Sequence, residues 1–192
     1  MAIISLQGGM AVGKTTLANQ LQNRLKNVYC SFEYQKKKPD NLDMFKELDY
    51  YKIQSYFIKL EVDRYRNLPS GNVIIDLGPE EIEFYTLFFP KSIGAPWNVE
   101  EALEEELKEL RKCNVDGILY LDANTDTLKE RKNGDMARKR GSFENYLKFI
   151  HPFKKEYFIN RGTTTILNVN SLSPKEVEEW VLQWLNRKWD ID

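Results

Sequence analysis

Ala2-Ile3-Ile4-Ser5-Leu6-Gln7 runs directly into Gly8-Gly9-Met10-Ala11-Val12-Gly13-Lys14-Thr15-Thr16, and the reading of this stretch decides the fold. A short apolar run that leads through G-x-x-x-x-G-K-T into an amphipathic segment is a strand, a phosphate-binding loop and a helix in sequence. The glycines let the backbone curl so that its N–H groups face a phosphate, and the start of the next helix adds a favourable dipole. Lys14 is placed to bridge the β- and γ-phosphates, and Thr15 to ligate magnesium. Gly8, Gly9, Met10, Ala11, Val12, Gly13, Lys14, Thr15 and Thr16 are therefore expected to hold ATP. The four fixed positions would match by chance in about one chain of this length in a hundred, and the strand and helix context lowers that further.

Outward from the loop, β-rich apolar runs alternate with longer helical patterns, which predicts parallel βαβ units and a sheet covered on both faces. Strands are expected at residues 3–7, 28–32, 72–76, 117–121 and 164–169. The class is α/β: a five-stranded parallel sheet with helices on both faces, in one domain spanning residues 1–192. Pro79 followed by Glu80, Glu81 and Glu83 suits a helix start, because proline's missing donor costs nothing there and carboxylates favour the N-terminal dipole. Asn98 with Glu101, and Ser173 with Pro174 and Glu176, resemble capping arrangements. Residues 100–109 are strongly acidic, yet Ala102, Leu103, Leu107 and Leu110 keep helical spacing, so the charge marks a solvated helix face.

The 192 residues are 42% apolar and 12% aromatic, enough for a substantial core. Their 28 basic and 29 acidic side chains nearly cancel, so no global field draws the chain to nucleic acid or to a membrane surface. The opening apolar run has no basic region before it and is too short to span a bilayer or act as a signal peptide, which places the protein in the cytoplasm. Cys30 and Cys113 have no neighbouring Cys or His at metal-ligand spacing, so neither a disulfide nor a zinc site is expected. His151, the only histidine, is expected to be a surface or packing residue.

In open α/β sheets ligands lie beyond the carboxyl ends of the strands. Asp76 ends such a strand, where a carboxylate holds magnesium directly or through water; the alternative is a turn-forming Asp before Gly78-Pro79. Glu33 follows the second strand, where it would accept a proton from an acceptor hydroxyl; the alternative is a solvated strand-end residue. Asp122 reads as part of a capping turn. On a helix expected from about 49 to 66, Gln54 falls near the centre of a broad apolar arc. A buried amide is costly without partners, so Gln54 meets either protein groups or a ligand. Tyr51 and Phe57 are candidate substrate contacts that serve equally well as core. Residues 131–141, which carry Arg131, Arg138 and Arg140 together with Gly134 and Gly141, form a basic segment that reads as a lid over a triphosphate or, alternatively, as an exposed charged helix.

Together these residues resemble the deoxynucleoside kinase branch of the nucleoside and nucleotide kinases, with thymidylate kinases as relations. Beyond the loop, the resemblance rests on Phe32-Glu33, on Gln54-Ser55-Tyr56-Phe57 and on the three arginines. It implies that Glu33 is the general base for a sugar hydroxyl, that Gln54 binds a nucleobase edge, and that Arg131, Arg138 and Arg140 clasp phosphates, with ATP and Mg²⁺ required. The acceptor expected is a small molecule, with no nucleic acid or membrane partner and with a homodimer allowed. One departure stands out: the family places an acid-arginine pair after the third strand, whereas this chain has Asp76-Leu77-Gly78-Pro79. Arg64 or Arg66 is the candidate replacement. The alternatives are a nucleoside monophosphate or other small-metabolite kinase and a nucleotide-dependent ATPase or switch protein.

Overall fold

A computed structural model describes residues 2–33, 37–135 and 141–189. The chain forms two compact units. The first comprises residues 1–32, 69–76 and 115–192, and the second residues 33–68 and 77–114.

The first unit holds the whole sheet. Its strands β1 (Ala2–Gly8), β2 (Val28–Ser31), β3 (Asn72–Asp76), β4 (Gly117–Asp122) and β5 (Thr164–Asn168) lie in the order β2-β3-β1-β4-β5. Every pairing is parallel. All five expected strands are present, with ends displaced by one residue at most. Strand residues alternate between faces, so Ile4, Leu6, Ile74, Leu119 and Leu121 join one apolar cluster while Ile118 and Tyr120 join another. The first cluster packs on Leu17, Ala18 and Leu21 of α1 (Lys14–Arg24) and on Val177, Val181, Trp184 and Leu185 of α9 (Pro174–Trp189). The second packs on Phe158 of α8 (His151–Ile159), which covers the opposite face. A sheet so enclosed needs near-continuous apolar strands, as the sequence supplies.

In the same unit α6 (Thr125–Gly134) and α7 (Phe143–Phe149) follow β4. Asn124 caps α6 by accepting the Thr127 N–H at 2.8 Å. Ser173 and Glu176 form the expected capping box at α9: the Ser173 N–H reaches the Glu176 carboxylate at 2.8 Å, and the Glu176 N–H reaches the Ser173 hydroxyl at 3.3 Å.

The second unit is helical: α2 (Glu47–Arg66), α3 (Pro79–Ser92), α4 (Val99–Ala102) and α5 (Glu104–Arg111). Tyr50, Ile58 and Val62 of α2 pack with Val99, Leu103, Leu107 and Leu110, the acidic helices' apolar face. Ala102, expected on that face, is exposed, because the helix is interrupted at Leu103. The Tyr50 ring stacks on Phe89 at 5.4 Å and lies 5.3 Å from Trp97. Pro90 sits inside α3 and has no N–H, so the carbonyl four residues earlier, that of Thr86, loses its helical donor. The Tyr50 hydroxyl replaces it, 2.9 Å from the Thr86 oxygen.

Candidate active site

The phosphate loop lies between β1 and α1 of the first unit. Gly8 has φ 141°, and a side chain there would put its Cβ 2.5 Å from the Leu121 carbonyl of β4. Gly13 precedes the helix with φ 109°, and nothing approaches within 4 Å of where its Cβ would be. The first glycine thus answers to crowding as well as dihedral, the second to dihedral alone. No side chain caps α1 and no acid lies in its first turn. That end of the helix keeps its positive pole and its outward N–H groups for an anion. Lys14 folds over the loop, its ammonium donating to the Gly8 carbonyl at 3.1 Å and the Gly9 carbonyl at 2.9 Å.

Thr15 and Asp76 meet. The threonine hydroxyl donates to the Asp76 carboxylate at 2.8 Å, because β3 pairs with β1 in a register that sets Asp76 opposite Leu6. Asp76 is buried. Its charge and, more strongly, burial push the nearby Cys30 thiol up to about 12. Burial likewise raises Cys113, to about 11. Both cysteines are buried, free thiols, and neither is an activated nucleophile.

Of the basic segment only residues 131–135 and Gly141 are described. Residues up to Gly134 are helical, so Arg131 belongs to the last turn of α6. Its guanidinium donates to the Val12 carbonyl of the phosphate loop at 2.7 Å and to the Val169 carbonyl at 2.6 Å. Burial lowers its pKa. The charge therefore sits under the loop as a brace. Arg138 and Arg140 lie outside the described residues.

His151 supplies a second support that the sequence did not reveal. It is the first residue of α8, it is buried, and its imidazole lies against Gly9 so closely that a Cβ there would be 3.2 Å from Cε1. The ring hydrogen-bonds the Ala123 backbone. Asp122, expected in a capping turn, instead ends β4 and pairs with Lys155 at 2.8 Å. The His151 pKa is lowered, chiefly by burial and further by Lys154 and Lys155, against the opposing pull of Asp122 and the Ala123 carbonyl. The imidazole is thus favoured neutral in the folded state, and the unfolded chain binds the proton more readily. Stability from this residue is full above the ordinary value of 6.5 and is lost as pH falls through it. We expect His151→Gln to flatten the acid limb of a urea-midpoint series, removing a slope of at most about 1.4 kcal/mol per pH unit. An identical slope in the variant would exclude His151 as its source.

The remaining candidates lie in the second unit. Glu33, its first residue, is exposed and stands two positions beyond β2. Gln54 is buried on α2, and its Oε1 accepts the Thr86 hydroxyl at 2.9 Å. Phe57 is half-buried, with its ring 5.6 Å from that of Tyr56. Tyr51 borders the core and donates its hydroxyl to Glu47 at 2.6 Å. Arg64 is buried against Glu61 at 2.6 Å and also donates to the Leu77 carbonyl, at a residue with φ 60°. Its charge is matched by Glu61 inside the protein, and its second bond ties α2 to the turn at Leu77. Arg66 is exposed and pairs with Glu109 at 2.8 Å. Among the described residues no helix is long and apolar enough to cross a membrane.

The parallel sheet and its loop define a phosphate-loop α/β fold of the nucleotide-kinase type. No protein-family model matches the chain. No curated protein matches it by sequence. Solved structures do match. A deoxyadenosine kinase from M. mycoides, with products dCMP and a flexible dCDP bound, is similar with a TM-score of 0.73 and 16% identity, over 96% of this chain and 98% of that one. The dATP complex of deoxyadenosine kinase from the same organism gives 0.68 and 17%, and the dCTP complex 0.64 and 16%, each over 96% of this chain and 99% of the other. At this identity the likeness is one of fold.

Proposed function

We propose that the protein is an ATP-dependent kinase that transfers the γ-phosphoryl group to the hydroxyl of a deoxynucleoside. The observation that carries the reading is the phosphate loop with Lys14 folded over it and Thr15 held to Asp76. Support for a nucleoside acceptor comes from the fold shared with deoxyadenosine kinases along nearly the whole chain. In this reading Glu33 takes the proton from the acceptor hydroxyl as its oxygen attacks the γ-phosphorus and ADP leaves. Lys14 and the loop N–H groups stabilise charge on the transferred group. Arg131 acts by bracing the loop, and Arg138 and Arg140 are proposed as the phosphate clamp. Gln54 reads the base, with Tyr51 and Phe57 lining its surroundings and Arg64 acting through the turn at Leu77.

Thr15 and Asp76 suit Mg²⁺: they are hard oxygen donors already within hydrogen-bonding distance of each other. Among the described residues no group of three or more His, Cys, Asp or Glu side chains is placed to hold a metal. Phosphate and water oxygens would therefore complete the magnesium shell, as is usual for this ion. When bound, it would neutralise charge on the β- and γ-phosphates. We propose a cytoplasmic enzyme acting on small molecules, with a homodimer as its candidate assembly.

Incubation with ATP, Mg²⁺ and each deoxynucleoside, deoxynucleoside monophosphate or no acceptor tests the reading. We expect ADP release that depends on a deoxynucleoside and yields its monophosphate. Turnover on monophosphates alone would move the acceptor, and acceptor-independent hydrolysis would replace the kinase with an ATPase.

A further inference from the structure

We propose that Thr86 is a specificity-determining residue: by holding the Gln54 amide in one orientation it favours adenine and cytosine over guanine, hypoxanthine and thymine. The inference rests on the nucleoside kinase reading above and adds to it a choice of base.

Gln54 carries two acceptor lone pairs on Oε1 and two N–H donors on Nε2. Among the described residues its side chain makes one hydrogen bond, from the Thr86 hydroxyl to Oε1 at 2.9 Å. Both residues are buried, Thr86 completely and Gln54 with 5% of its surface exposed, so bulk water does not compete for this bond. Thr86 is itself held in place. Pro90 withdraws the helical donor from its carbonyl, and Tyr50, fully buried and stacked on Phe89, supplies the replacement at 2.9 Å. A hydroxyl fixed in this way anchors the amide's oxygen end and leaves its nitrogen end to donate.

Adenine places the acceptor N1 beside the donor N6 amino group, and cytosine places N3 beside N4 in the same way. Against either edge the anchored amide needs no change: Nε2 donates to the ring nitrogen, and the second lone pair of Oε1 accepts from the amino group. Guanine, hypoxanthine and thymine present a ring N–H beside a carbonyl, the opposite pattern. To meet it the amide must turn over, exchanging Oε1 and Nε2. The Thr86 hydroxyl then faces a donor and must send its own hydrogen elsewhere. The carbonyl four residues back is that of Ile82, which the helix already uses, so this bond is the poorer one. Losing about one net hydrogen bond corresponds to roughly tenfold in selectivity.

The test is kcat/KM with ATP and deoxyadenosine, deoxycytidine, deoxyguanosine, deoxyinosine and thymidine, for the wild type, Thr86→Val and Thr86→Ser. Valine keeps the shape and removes the hydroxyl; serine keeps the hydroxyl. We expect the wild type to favour deoxyadenosine over deoxyinosine, which differ at this edge, by about tenfold. Thr86→Val should bring that ratio to within about twofold of unity with the KM for ATP unchanged, and Thr86→Ser should restore it. An unchanged ratio in Thr86→Val, or a ratio that serine does not restore, overturns the inference and leaves the kinase reading standing. Absence of turnover on every nucleoside overturns both.

Discussion

Glu33→Gln is expected to lower kcat for nucleoside phosphorylation by about 10²- to 10⁴-fold, the range a positioned general base contributes. The amide copies the shape of the carboxylate and cannot take the proton. The ATP contacts proposed above lie in residues 8–16 of the first unit, whereas Glu33 opens the second. ATP affinity should therefore stay within about threefold of the wild type, since the interaction lost is one made as the bond forms and not on binding. Single-turnover kinetics report the chemical step, and calorimetric titration with an ATP analogue reports binding. A variant that turns over at the parent rate would remove Glu33 from the mechanism. Parallel loss of binding and turnover would make it a structural residue of the chain leaving β2.

Gly8→Ala is expected to cost about 3 kcal/mol or more and to abolish nucleotide binding, because strain and overlap act together. At φ 141° an L side chain is strained by roughly 1–3 kcal/mol. The added Cβ also meets the Leu121 carbonyl at 2.5 Å. That oxygen belongs to the central ladder of β1 with β4 and cannot move aside without breaking the sheet. Gly13→Ala is the control: its dihedral is also left-handed, but nothing stands within 4 Å, so a loss of about 1–2 kcal/mol is expected. Denaturant midpoints on the two variants measure the difference. Equal midpoints would mean that the loop relaxes around the Gly8 Cβ, and that crowding against β4 does not explain the glycine.

Some of these residues were legible early and others were not. The strand-loop-helix at the N-terminus could be read because each of its signals is local: apolar alternation, glycine spacing, then Lys14 and Thr15 at adjacent positions. The capping box at Ser173 spans four residues, Ser173 to Glu176, and was equally visible. Arg131 was visible as a charge, but its hydrogen bond to the Val12 carbonyl was not, since the two lie 119 positions apart. Thr86 offered one faint signal, a proline four residues downstream that would free its carbonyl. Nothing in sequence says that Tyr50 fills the gap or that Gln54 meets the hydroxyl. His151 gave no signal at all, because its contact with Gly9 exists only once α8 packs beside the loop.

By itself, then, the amino-acid order determined the α/β class, the five strands and the phosphate loop, since periodicity and glycine dihedrals act over a few neighbouring residues. Tertiary structure alone decided that Asp76, 61 residues from Thr15, shares a hydrogen bond with it, that Arg131 braces the loop, and that Thr86 orients Gln54. Such pairings depend on strand register and helix packing, which bring distant residues together through the burial of side chains that carry none of the chemistry.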